Sequence, residues 1–213
     1  MRKAWVLIVL LVSAVAARAE GVTIAALGDS LTQGYGLVQE DGFVPQLQRW
    51  LDARQVDVTL INAGVSGDTT AGGAARVAWT LTPDVDAMIV ALGGNDLLRG
   101  VDPETSRANI EAILRTAQAQ GVEVLLVGIE APNNYGPDYK AAFDAIYPEL
   151  SKAYGTLYLA SFFVGLGEAA DNPAMLGDVM QSDGIHPNAA GVARIVEGIG
   201  PSVLDLITRT GEG

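Results

Sequence analysis

The chain has 213 residues, 49% hydrophobic and 18% charged, a composition that suits one compact α/β domain with a substantial core and excludes a disordered chain. Its 13 basic and 25 acidic side chains give a formal charge of −12, which repels nucleic-acid phosphates and anionic bilayers and argues against either as a partner. Cysteine is absent, so no disulfide framework forms and no thiol is available for lipid attachment.

Residues 1–19 differ from the rest. Arg2 and Lys3 precede an apolar run from Ala4 to about Ala17, and Ala17-Arg18-Ala19 has the small-x-small form of a cleavage site. The run is shorter than the roughly 20 residues that span a bilayer. A cleaved secretory signal peptide is therefore expected, leaving 20–213 as a single domain that is exported, periplasmic or secreted, with no stable membrane insertion after cleavage. Without Arg2, Lys3 and Arg18 the chain keeps 10 basic against 25 acidic side chains, a charge of −15.

Beyond the signal, β-branched apolar runs alternate with helical patterns. Val22 to Leu27, Val56 to Ile61, Ala87 to Leu92, Val122 to Ile129 and a weaker Thr156 to Leu159 read as strands, continuous enough in hydrophobicity for a buried parallel sheet. Phe43 to Ala53, Thr70 to Leu81, Pro103 to Gln120 and Tyr139 to Tyr154 carry apolar residues at helical spacing and are long enough to be crossovers. A last helix is expected from Pro187 to about Ile207, with proline at its first turn. The alternation predicts a doubly wound, three-layer α/β/α sandwich around a mainly five-stranded parallel sheet. Between Ser161 and Asp183 the pattern fades into Gly, Asn, Pro and Met, an irregular connection of the kind that is functional or mobile.

Ligands of an open parallel sheet bind beyond the carboxyl ends of its strands. The first strand leads to Gly28-Asp29-Ser30-Leu31, the second to Ser66-Gly67-Asp68-Thr69, the third to Gly93-Gly94-Asn95-Asp96. The chain's one histidine, His186, follows Asp183 by three residues. Imidazole is the side chain whose ordinary pKa suits proton transfer near neutrality, so a nucleophile for His186 is sought on this rim. Ser30 is the candidate. Its hydroxyl is expected at the open edge, after a glycine that lets the backbone turn, and its own N–H, the Gly67 N–H and the Asn95 amide are candidate oxyanion donors. Asp183 can fix the tautomer of His186.

Taken singly these residues have plainer readings. Ser30 could cap a helix, Asp29, Asp68 and Asp96 could cap and brace loops, Asn95 could hold a left-handed turn, and His186 could be a surface loop residue. Two rival functions share the rim. Asp29, Asp68 and Asp96 could hold Mg²⁺ for phosphoryl transfer, although no Gly-x-x-x-x-Gly-Lys pattern is present. An exported protein could also hold a lipid or sugar ester in the cleft without turning it over. The Gly-x-Ser-x-Gly elbow of the α/β-hydrolase fold is missing.

In four ordered blocks, Gly28-Asp29-Ser30-Leu31, Gly67, Gly93-Gly94-Asn95-Asp96 and Asp183-Gly184-Ile185-His186-Pro187, the chain resembles the SGNH or GDSL hydrolases across nearly all of its length after the signal. That resemblance implies a flavodoxin-like SGNH fold and hydrolysis of carboxylic esters or thioesters of acyl substrates, among them aryl esters, acyl thioesters and lysophospholipids. It implies Ser30, Asp183 and His186 as a triad, and Gly67 and Asn95 as oxyanion donors beside the Ser30 N–H, with no metal or organic cofactor. It further implies a mobile loop from Leu97 to Gly100 beside an acyl groove, with Leu97, Leu98, Pro132 and Tyr135 touching substrate. Glu130 and Asn133 interrupt a stretch, Ile129 to Tyr135, expected to be an apolar wall.

Overall fold

A computed structural model describes residues 21–170 and 173–211, so the expected signal peptide lies outside the described residues. Five parallel strands form one sheet in the order β2-β1-β3-β4-β5: β1 Val22–Gly28, β2 Val58–Gly64, β3 Ala87–Ala91, β4 Glu123–Val127 and β5 Leu157–Leu159. Side chains alternate across it. Ile24, Ala26, Ile89 and Leu125 face one side, and Ala25, Leu27, Met88, Val90 and Leu126 the other, so each face needs its own cover.

Helices α2 (Phe43–Asp52) and α9 (Ala189–Thr210) cover the first face. Phe43, Val44, Leu47 and Leu51 of α2 and Val192, Ile195, Val196, Ile199 and Val203 of α9 form apolar stripes at helical spacing. Helices α3 (Thr70–Thr80), α5 (Pro103–Ala119) and α7 (Ile146–Tyr154) cover the second face through Val77, Ile110, Ile113, Leu114 and Leu150. Each fully buried aliphatic side chain contributes about 1.5–3 kcal/mol. The result is the expected three-layer α/β/α sandwich. Among the described residues no helix is long and apolar enough to cross a membrane.

Departures from the sequence reading have local causes. The helix expected over Tyr139 to Tyr154 is two, α6 (Pro137–Asp144) and α7, because Pro148 has no N–H to donate back to the Asp144 carbonyl. Helix α9 begins two residues after Pro187, where the Asn188 side chain accepts the Gly191 N–H at 2.9 Å; Pro187 instead pairs with Met180 in an antiparallel bridge. Three short helices escaped the periodicity: α1 (Ser30–Gln33), α4 (Gly94–Arg99) and α8 (Pro173–Val179). The Ser161–Asp183 connection is accordingly not irregular throughout, since a 3₁₀ segment over Val164–Ala170 precedes α8.

Candidate active site

Strand β1 lies between β2 and β3, so the connections leaving it diverge at its carboxyl end and open a crevice there. Asp29 ends the strand run and caps α1, its Oδ1 accepting the Leu31 N–H at 3.0 Å, which makes Ser30 the first helical residue and leaves its N–H without an intrahelical acceptor. The expected flexibility of Gly28 is not what the turn uses. Its φ is not positive; a Cβ there would collide with Thr32 Oγ1 and press on the Ala91 carbonyl, so the glycine serves close packing.

After β2, the Asp68 N–H donates to the Val65 carbonyl at 3.0 Å and Gly67 takes φ 79°, the value of the third residue of a type II turn, which disfavours a side chain. After β3, Gly93 has φ 121° and lies so close to the Tyr147 hydroxyl that a Cβ would clash; that hydroxyl donates to the Leu92 carbonyl at 2.8 Å. Asn95 then sits inside α4, which removes the left-handed-turn reading of this residue. Its amide lies 3.4 Å from Asp29 Oδ2.

The fourth contribution comes from the other end of the chain. The Gln181 N–H donates to the His186 carbonyl (2.8 Å) and the Asn188 N–H to the Val179 carbonyl (2.9 Å), pinching Gln181–His186 into a tight loop. Within it Asp183 Oδ1 accepts the Ile185 and His186 N–H groups at 2.9 and 3.0 Å, while Oδ2 lies 2.7 Å from His186 Nδ1. His186 Nε2 is 2.8 Å from Ser30 Oγ, across 156 residues of sequence. The His186 N–H, followed by the imidazole and the Ile185 N–H, lowers the Asp183 carboxyl to about 2. An ionised carboxylate only accepts, so the ring proton belongs on Nδ1 and Nε2 accepts from the Ser30 hydroxyl.

A cleft of about 470 Å³ opens over these groups. Ser30, Gly67, Asn95 and His186 line it, and so do Leu97, Leu98, Pro132 and Tyr135, every side chain expected to touch substrate. Leu97 and Leu98 occupy the last turn of α4 rather than a loop, ended by Gly100 in the left-handed region. Of the wall from Ile129 to Tyr135, Ile129, Pro132, Asn134 and Tyr135 line the cleft and Glu130 and Asn133 do not, so its lining is mainly apolar with one amide.

The three rim aspartates do not converge. Asp29 is only 4% exposed, and burial raises its carboxyl above the ordinary range against the opposing pull of the Leu31 N–H. Asp68 pairs with Arg76 Nε at 2.7 Å. Asp96 is buried, accepting from the Thr70 N–H (2.9 Å), the Thr70 hydroxyl (2.6 Å) and the Ser106 hydroxyl (3.1 Å). Among the described residues no three carboxylate, imidazole or thiol side chains gather as a metal site would require, which removes the structural basis of the phosphoryl-transfer reading.

Four residues at this site carry no motif. Arg76 donates to the Gly28 and Ala63 carbonyls at 2.9 and 2.7 Å as well as to Asp68, tying the ends of β1 and β2 together. Arg99 donates to the Gly67 carbonyl at 2.7 Å. Gln181 Nε2 donates to the Tyr35 and Pro187 carbonyls at 2.8 and 3.0 Å, and the Tyr35 ring packs on His186. Nothing local marks them as a group, since each has a partner distant in sequence: Gly28 for Arg76, Gly67 for Arg99, Tyr35 for Gln181 and His186 for Tyr35.

Residues 26–194 match the GDSL-like lipase/acylhydrolase family. The chain belongs to that family. It is 37% identical over 191 residues to Esterase TesA of Pseudomonas aeruginosa, an alignment spanning 89% of this chain and 92% of that protein. It is 38% identical over 167 residues to Thioesterase 1/protease 1/lysophospholipase L1 of Escherichia coli, covering 78% of this chain and 76% of the other. The crystal structure of the psychrotrophic esterase EstA from Pseudoalteromonas sp., inhibited by monoethylphosphonate, superposes with a TM-score of 0.78 at 33% identity, covering 87% of this chain and 98% of EstA. All four sequence blocks of the GDSL pattern begin within the matched span and meet at the one cleft.

Proposed function

We propose that this GDSL-family protein is a serine hydrolase of carboxylic esters and thioesters, with Ser30 as nucleophile, His186 as general base and acid, and Asp183 as the group that orients it. The observation that carries the reading is the chain Asp183 Oδ2, His186 Nδ1, His186 Nε2, Ser30 Oγ, with successive contacts of 2.7 and 2.8 Å at the mouth of an apolar cleft. Ser30 Oγ attacks the acyl carbonyl as its proton passes to His186 Nε2. The oxyanion is stabilised by the Ser30 and Gly67 N–H groups and the Asn95 amide. Collapse breaks the bond to the leaving group, which takes the proton from His186. Water, deprotonated by the same imidazole, then releases the acid from the acyl-enzyme. No step calls on a metal or an organic cofactor. The likeness to an esterase, to a thioesterase and lysophospholipase, and to an esterase inhibited by a phosphonate supports this chemistry.

The acyl group is assigned to the wall formed by Leu97, Leu98, Pro132 and Tyr135. The substrate is a small acyl ester or thioester, and the protein works outside the cytoplasm once residues 1–19 are removed, as the basic start, short apolar run and Ala17-Arg18-Ala19 of the sequence support. A fluorophosphonate probe and p-nitrophenyl esters test the assignment together. Wild type should be labelled and active, and Ser30→Ala neither; a folded Ser30→Ala protein with wild-type turnover refutes it. Tight retention of an ester by unlabelled wild type would favour the binding-protein reading.

A further inference from the structure

The two ends of the cleft serve different halves of an ester. His186 Nε2 must reach the departing oxygen to protonate it, so whatever flanks the imidazole also flanks the leaving group. Its aromatic neighbour is Tyr35, whose ring centroid lies 4.6 Å from that of His186 at an interplanar angle of 39°. The ring is half-exposed and lines the cleft, and the half-exposed Ile185 lines it as well.

The backbone of Tyr35 is held from two directions. Its N–H donates to the Ser30 carbonyl at 3.1 Å and its carbonyl accepts from Gln181 at 2.8 Å, so the residue is fixed to both the serine turn and the histidine loop. A large aromatic surface that stays half-exposed on so well anchored a backbone is a recognition surface rather than a piece of core. No lysine or arginine lines the cleft among the described residues, and the nearby Arg99 is engaged by the Gly67 carbonyl. A phosphate-bearing leaving group would find no cation in the cleft of a chain that is already acidic.

We infer that Tyr35 forms a leaving-group subsite for flat, uncharged aromatic alcohols. This rests on the reading of Ser30 and His186 given above. In acylation the Ser30 Oγ to carbonyl-carbon bond forms and the bond from that carbon to the aryl oxygen breaks. The proton taken by His186 passes to that oxygen, and the phenol departs along the Tyr35 ring.

Phenyl acetate and ethyl acetate deliver the same acyl group, so the ratio of their kcat/KM values isolates the leaving group. It is to be compared among wild type, Tyr35→Phe and Tyr35→Leu, each checked for folding by circular dichroism. Tyr35→Leu should lower the phenyl-to-ethyl ratio about two- to twelve-fold, the contribution of one offset aromatic pair, and Tyr35→Phe should keep it within about two-fold. An unchanged ratio in Tyr35→Leu, or equal losses on both esters, overturns the subsite. Ser30→Ala run alongside separates the two failures: activity there sinks the site assignment, whereas an inactive Ser30→Ala with a flat ratio sinks only the inference.

Discussion

Asp183→Asn tests the proton geometry at the point where the structure is most specific about it. The carboxylate accepts three hydrogen bonds, two from the Ile185 and His186 N–H groups on Oδ1 and one from His186 Nδ1 on Oδ2. An asparagine keeps an oxygen for the two backbone donors and turns an NH₂ group toward Nδ1. The imidazole must then carry its proton on Nε2, facing Ser30, where it cannot accept the hydroxyl proton. The same tautomer error in a Ser-His-Asp protease lowers kcat about 10⁴-fold, and a loss of that order is expected here. Stopped-time assays of p-nitrophenyl butyrate at neutral pH should show the loss in kcat with KM nearly unchanged. Thermal melts should move little, because the asparagine oxygen still accepts from both backbone N–H groups. A kcat within about ten-fold of wild type would refute the orienting role. The pH dependence has a definite sign. The folded carboxyl, at about 2, lies below the ordinary 3.8, so its contribution to stability is complete above that ordinary value and is lost as pH falls toward about 2. Loss of activity on milder acidification therefore belongs to another group of the site.

Two further substitutions probe the frame. Asp29 has its carboxyl raised by burial, so the native state increasingly disfavours the charge as pH rises through the folded value. Asp29→Asn should stabilise the protein at neutral pH and lose that advantage on acidification, as the native carboxyl takes up its proton; urea unfolding showing a larger gain at acidic than at neutral pH would contradict this. Arg76→Met removes donors from the Gly28 and Ala63 carbonyls and leaves the largely buried Asp68 carboxylate unpaired. It should cost about 3 kcal/mol in urea unfolding, and a cost under about 1 kcal/mol would show that the clamp is dispensable.

The parts of this structure that sequence foreshadowed are those whose cause is local. Strands Val22–Gly28 and Ala87–Ala91 are buried on both faces, so their runs are continuously apolar and stand out. Helix α5 starts at Pro103 behind an Asp102 whose side chain accepts the Glu104 N–H at 2.8 Å, a cap written in adjacent letters. Asp183 and His186 are three residues apart and bonded to each other, so their pairing was also legible. The four-residue helix beginning at Ser30 is too short to show a period, and the α6–α7 break depends on one proline placed in an otherwise regular pattern. Tyr35, Arg76, Arg99 and Gln181 were invisible because their meaning lies in carbonyls and rings they reach only after folding.

Those four residues explain why the strand order matters more than the motifs. Ser30, Gly67 and Asn95 follow β1, β2 and β3, which are neighbours in space with β1 at the centre. Adjacency brings the three donors near one another, but strand ends splay as the sheet twists, and separation at a rim is not set by the ladder alone. Arg76 fixes the β1 and β2 ends to each other, and Arg99 carries the α4 side of the cleft onto the Gly67 turn. On the opposite side Gln181 joins the Tyr35 segment to the histidine loop, bridging the serine and the imidazole through backbone carbonyls. The reacting groups are thus aligned by side chains that take no part in the proposed chemistry. Because an oxyanion donor acts only when aimed at the position the charge will occupy, these braces should set how well the proposed site works even where Ser30, His186 and Asp183 are all in place.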